Sequence, residues 1–88
     1  MNRARRKNIY KVVEEINNLI GLLEETKENL EDIKSEEEEY YDNIPENLQN
    51  SINAENSLTA QDNLEEAIYK IDNAIDCLTD AISYCEEI

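Results

Sequence analysis

The sequence predicts an all-α fold: an antiparallel two-helix hairpin with a short helical turn at its tip, associating into a helical bundle. Two ladders carry that expectation. Ile9, Ile16, Leu23, Leu30, Glu37 and Ile44 recur every seventh residue, and Leu64, Ile71, Leu78 and Cys85 do so again further on. Spacing of this kind lines one face of a helix with apolar side chains. Between the ladders lies an Asn-rich stretch around Pro45, the only proline of the chain, and it supplies the reversal. The third observation is size. A chain of 88 residues forms a single domain, residues 1–88, and as a hairpin buries only a thin seam, so a homodimer or a higher homo-oligomer is expected.

The first helix is predicted over about residues 8–41. With Ile9 at heptad position a, the d positions are Val12, Leu19, Thr26, Ile33 and Tyr40, and the e positions are Val13, Ile20, Lys27, Lys34 and Tyr41. The early part of the stripe is three positions wide, which suits a bundle core better than the a/d seam of a two-stranded coiled coil. After Leu23 lysines narrow it, so the first half is the part expected to be covered by a second protomer. Gly21, the only glycine, costs roughly 1 kcal/mol relative to alanine inside a helix. It reads as a close helix contact in preference to a bend.

The tip is predicted over residues 42–59. Pro45 stops the first helix, and Pro45-Glu46 fits the opening of a short helix with Asn43 or Ile44 outside it, running through Gln49. Asn43, Asn47, Asn50, Asn53 and Asn56 favour turns and local side-chain bonds to the backbone. Leu48, Ile52 and Leu58 are expected to fold back over the end of the seam.

The second helix is predicted over about residues 60–87, with Thr59 and Asp62 in a capping box. Its repeat is regular: leucine or isoleucine at a, alanine at d (Ala67, Ala74, Ala81), isoleucine at e (Ile68, Ile75, Ile82). The alanine line allows a close helix approach and the isoleucine line faces a second neighbour. Ile68, Ala74, Ile75, Ala81 and Ile82 are therefore the expected oligomer interface.

Charge is unevenly placed. The formal net charge is -14, from 22 acids against eight basic residues, and Arg3, Arg5, Arg6, Lys7 and Lys11 stand together at the start. An acidic rod of this kind repels nucleic acid and anionic membranes and favours basic protein grooves, so no direct DNA or RNA binding and no membrane association are expected. No segment approaches the roughly 20 apolar residues of a membrane span, and the basic start leads into a charged helix rather than an apolar signal core. A cytoplasmic location is expected.

Enzyme chemistry finds no support. Histidine is absent, which removes the usual general base and the commonest metal ligand. Cys77 and Cys85 are eight residues apart on one helix, about 12 Å by the helical rise, too far for an intrachain disulfide. Acids at helical spacing, Glu25, Glu28 and Glu31 or Asp72, Asp76 and Asp80, lie off the a and d ladders. No catalytic residue, metal site or cofactor is expected.

Two charged clusters are candidate binding sites. Glu36, Glu37, Glu38 and Glu39, followed by Tyr40, Tyr41 and Asp42, form the densest negative run and, with Glu46, Asn47 and Gln49 of the tip, a candidate protein-binding surface. Glu37 falls on the seam, where its carboxylate needs a donor, for which the tip is the nearest supply. The basic start, Arg3, Arg5, Arg6 and Lys7 with Tyr10, lies beside the acidic end of the second helix. It is also a candidate site for a small anionic nucleotide if oligomerisation gathers several copies of it.

The segment Tyr41, Asp42, Asn43, Ile44, Pro45, Glu46, Asn47, Leu48, Gln49, with Ser51 beyond, resembles the tip motif of small, acidic, mostly uncharacterised helical-hairpin proteins of phages and prophages of Gram-positive bacteria. Those proteins combine a basic start, a Glu-rich first helix, an Asp-Asn-x-Pro-Glu-Asn-Leu-Gln tip and a second helix of alanine-isoleucine or alanine-leucine repeats. The resemblance implies phage origin and no established activity. The expected function is a non-catalytic accessory protein that binds and inhibits a host protein, in host defence or host takeover, including as an acidic nucleic-acid mimic. Sequestration of an anionic nucleotide signal and a purely structural assembly module are the alternatives.

Overall fold

The computed structural model describes all 88 residues as two long helices joined by a short turn. Helix α1 spans Arg3–Asp42, a 3-10 turn η1 spans Glu46–Leu48, and α2 spans Ile52–Glu86. The helices pack on each other along their length as a hairpin measuring 70 × 15 × 13 Å.

Both helices start earlier than their hydrophobic patterns do. Asn2 caps α1, its Oδ1 accepting from the Arg5 N–H at 2.8 Å. This bond satisfies one of the free N–H groups of a first turn that carries no acid. The second helix begins at Ile52, not near residue 60, because Ser51 Oγ accepts from the Ala54 N–H at 3.2 Å. Thr59 and Asp62 therefore lie inside α2 and form no capping box. The Asn-rich stretch after Gln49 is mostly helix, since one well-placed serine outweighs the weak turn preference of the asparagines.

The tip is ordered by small residues rather than large ones. Pro45 precedes η1, and Gln49 closes it, its Nε2 donating to the Ile44 carbonyl at 3.5 Å. Ala54 and Ser57 are the two buried residues of the chain. Leu48, Ile52 and Leu58, expected to fold over the seam, are 49%, 74% and 43% exposed. The first turn of α2 already lies against α1 here, and only small side chains fit between the backbones.

The seam uses columns a and e of each helix, not a and d. On α1 the half-buried residues are Ile9, Val13, Ile16, Ile20, Leu23, Lys27, Leu30, Lys34, Glu37 and Tyr41, with Glu38 of the b column beside them. On α2 they include Leu64, Ile68, Ile71, Ile75, Leu78, Ile82 and Cys85, with Ala60, Ala67 and Ala81 of the d column half-buried at the seam's edge. Steps of four and three residues form a heptad seam as well as steps of three and four, so three apolar columns leave the register open. Burial decides it. Centring the α2 seam on a and e covers the isoleucines while keeping Ala60, Ala67 and Ala81 half-covered at its edge, and apolar area removed from water stabilises in proportion, at roughly 25 cal/mol per Å². Ile68, Ile75 and Ile82, expected to face a second protomer, lie half-buried in the hairpin's own seam.

Candidate functional site

An antiparallel pair in which both helices bury a and e has two unlike flanks. Successive residues turn by about 100°, so d lies beside a on one flank and b lies beside e on the other. Reversing the second helix brings its d column to the same flank as the first helix's d column, and likewise for b. One interhelical ion pair and a shared groove agree with the assignment. Lys27, at e of α1, reaches Asp72, at b of α2, with Nζ 2.7 Å from the carboxylate, and a surface groove is lined by Glu31 and Glu38 of α1 with Glu65 of α2, all at b.

The b flank is acidic. Glu24, Glu31 and Glu38 of α1 meet Glu65 and Asp72 of α2 there, and the adjoining f columns add Glu14, Glu28, Asp62 and Asp76. Its two lysines are already committed. Lys27 holds Asp72 and lies 3.8 Å from Glu31, and Lys34 pairs with Glu38 at 3.2 Å. The hydrogen bond to Asp72, aided by the negative charges of Asp72 and Glu31, outweighs partial desolvation and raises the Lys27 pKa above its ordinary 10.5. The remaining carboxylates of the flank face solvent without a basic partner.

The d flank is the reverse. No acid stands at any d position. On α1 it presents Val12, Leu19, Ile33 and Tyr40, each 45–49% exposed, with Thr26 among them, its hydroxyl donating to the Leu22 carbonyl, and Leu22 beside them at 60%. On α2 it presents Ala74, exposed, in line with the half-buried Ala60, Ala67 and Ala81. Ala74 and Ala81 of the expected interface are here, whereas the three isoleucines are not.

The Glu36 to Glu39 run does not form one patch, because four consecutive helical residues point in four directions. Glu36 and Glu39 are exposed, Glu38 is tied to Lys34, and Glu37 is half-buried on the seam. The contact at Glu37 is through its main chain, whose carbonyl accepts from Ser57 Oγ at 3.5 Å. No group of the tip, the donor expected for its carboxylate, hydrogen-bonds to it. Tyr40 lies on the apolar flank and Tyr41 in the seam. Glu46 and Asn47 are exposed at the tip, with Gln49 half-buried as its closing residue. The acids that do share a surface, Glu31, Glu65 and Asp72 among them, are scattered in sequence, and only the antiparallel register reveals them as neighbours.

At the other end, Arg6 and Tyr10 line a cavity of about 90 Å³ with Ile9, Cys85, Glu86 and Ile88. The basic start thus lies beside the end of α2 as expected. Arg3, Arg5 and Lys7 do not line this cavity, and Glu86 contributes a carboxylate to it. Small-molecule sites enclose roughly 300–1,000 Å³, so one chain does not build a nucleotide site there. No three acids or cysteines converge as metal ligands, and no helix is long and apolar enough to cross a membrane. Comparison with protein-family models, with curated proteins and with solved structures finds no match to this chain.

Proposed function

We propose that this chain is a non-catalytic accessory protein of the phage type, which binds a basic host protein in the cytoplasm and inhibits it by occupying a groove that normally holds nucleic acid. The observation that carries this reading is the acidic b flank. Carboxylates from both helices lie along one side of a 70 Å rod, and the lysines on it are held by the protein's own acids. A surface of this kind attracts a positively charged groove and loses that attraction as salt screens it. The phage origin rests on the tip motif. The sequence's own candidate, the Glu36 to Glu39 run, is replaced in this reading by the b and f columns.

The test uses the purified full-length protein, immobilised and exposed to lysate of a Gram-positive host. Capture of a nucleic-acid-binding protein is expected at low salt and its release at high salt. A variant with Glu24→Gln, Glu28→Gln, Asp62→Asn and Glu65→Gln, all exposed positions, is expected to lose it. Capture that survives both the variant and high salt would sink the proposal.

A further inference from the structure

We infer that the d flank is the contact between two copies of this chain, joined as a parallel dimer with both tips at the same end. The inference concerns the side of the rod opposite the acidic flank and does not rest on the function proposed for that flank. Val12, Leu19, Ile33 and Tyr40 form a line of large side chains on α1, about half exposed, parallel to a line of alanines on α2. A two-fold axis along the rod lays α1 of one copy over α2 of the other. Leu19 and Ile33 then meet the alanine line, and Val12 and Tyr40 lie at its two ends.

The axial register fits as well. Lys27 is level with Asp72, Glu37 with Ser57, and Ile9 with Cys85. Taken together these pairs set Leu19 level with the stretch of α2 between Ala74 and Ala81. In the parallel dimer Leu19 of one copy falls between Ala74 and Ala81 of the other, as a knob entering a gap. The opposite arrangement, with tips at opposite ends, stacks large on large and alanine on alanine, and with the rods fully overlapped it sets Glu15 over Glu36. Like charges held so close are unfavourable.

A second copy is the occupant because the flank complements itself and the rest of the rod repels itself. At a net charge of -14, two chains approach closely where acids are fewest; the d columns hold none, and the g columns beside them hold only Glu15 and Glu36. The flank is 70 Å long and one hairpin wide, on the order of the 800 Å² per partner of a specific interface. With two buried residues, each hairpin has little core of its own, and the dimer supplies the missing layer.

Sedimentation equilibrium at micromolar concentration is expected to give the mass of two chains. Leu19→Glu with Ile33→Glu is expected to halve that mass, and because both residues are half exposed the hairpin remains visible as helix by circular dichroism. Arrangement is read from spin labels at Asn47→Cys in a Cys77→Ser, Cys85→Ala background. Parallel packing places the two labels within about 35 Å, a few interhelical spacings, whereas the opposite arrangement separates them by nearly the rod's 70 Å length. A monomeric wild type, a dimer that survives the double variant, or labels at the long separation would each overturn the inference.

Discussion

Replacing Gly21 by alanine should stabilise the protein. Gly21 lies in the middle of α1 at position f, on the outer side of the rod, and a Cβ there meets nothing within 4 Å. The close helix contact expected from the sequence is absent from the hairpin, and the backbone at this site has no positive φ that would demand glycine. What remains is the intrinsic helical penalty, about 0.8–1.0 kcal/mol per chain. For a domain of this size each kcal/mol moves the midpoint by about 4–8 °C. Thermal melting of Gly21→Ala followed by far-UV circular dichroism at matched chain concentration should therefore show a rise of several degrees. Position f is also remote from the d flank, so dimerisation leaves the expectation unchanged. A lowered midpoint would mean that a neighbouring helix presses on this column, which would refute both the open outer face and the dimer built on the d flank.

Three further outcomes follow from the geometry. Ser51→Ala should cost about 1 kcal/mol through loss of the cap on α2, with Thr59→Ala, now an exposed mid-helix substitution, within about 0.5 kcal/mol of wild type; equal effects in denaturant titrations would return the helix start to the later position. Ala54→Leu should destabilise by about 1–3 kcal/mol by overpacking, because Ala54 is 0% exposed between the helices, and an unchanged denaturation midpoint would show that the tip is open. Lys27 has its pKa raised in the folded state, so its pairing contributes fully below the unfolded value of 10.5 and is lost as pH rises through the higher folded value. Melting temperatures on the alkaline side of pH 10.5 should fall more steeply in wild type than in Asp72→Asn, and parallel curves would remove the pair from the account.

The hairpin was legible because heptad spacing and a single proline dictate it, and the tip helix because Pro45-Glu46 is a helix opening. Register was not. Three apolar columns on each helix satisfy an a/d and an a/e seam equally, and choosing between them requires comparing the area buried by Ile68, Ile75 and Ile82 with that buried by the alanines. The start of α2 was missed because the apolar ladder begins at Leu64 while the cap that starts the helix is Ser51, a full three turns earlier. Reading Ser51 with the Ala54 N–H three residues on would have found it. The spread of the Glu36 to Glu39 run has a simpler reason: neighbours in sequence are not neighbours on a helix surface. Glu31, Glu38, Glu65 and Asp72 come together only once the antiparallel register is fixed.

One chain has only Ala54 and Ser57 buried, and its seam carries Lys27, Lys34 and Glu37 among the aliphatic residues. Stability should therefore depend on association, and melting temperature measured by circular dichroism across about a hundredfold range of chain concentration reads this directly. The midpoint should rise with concentration, and that rise should disappear in Leu19→Glu with Ile33→Glu. A midpoint that stays constant across the range, in a cooperative transition of a monomeric hairpin, would contradict it.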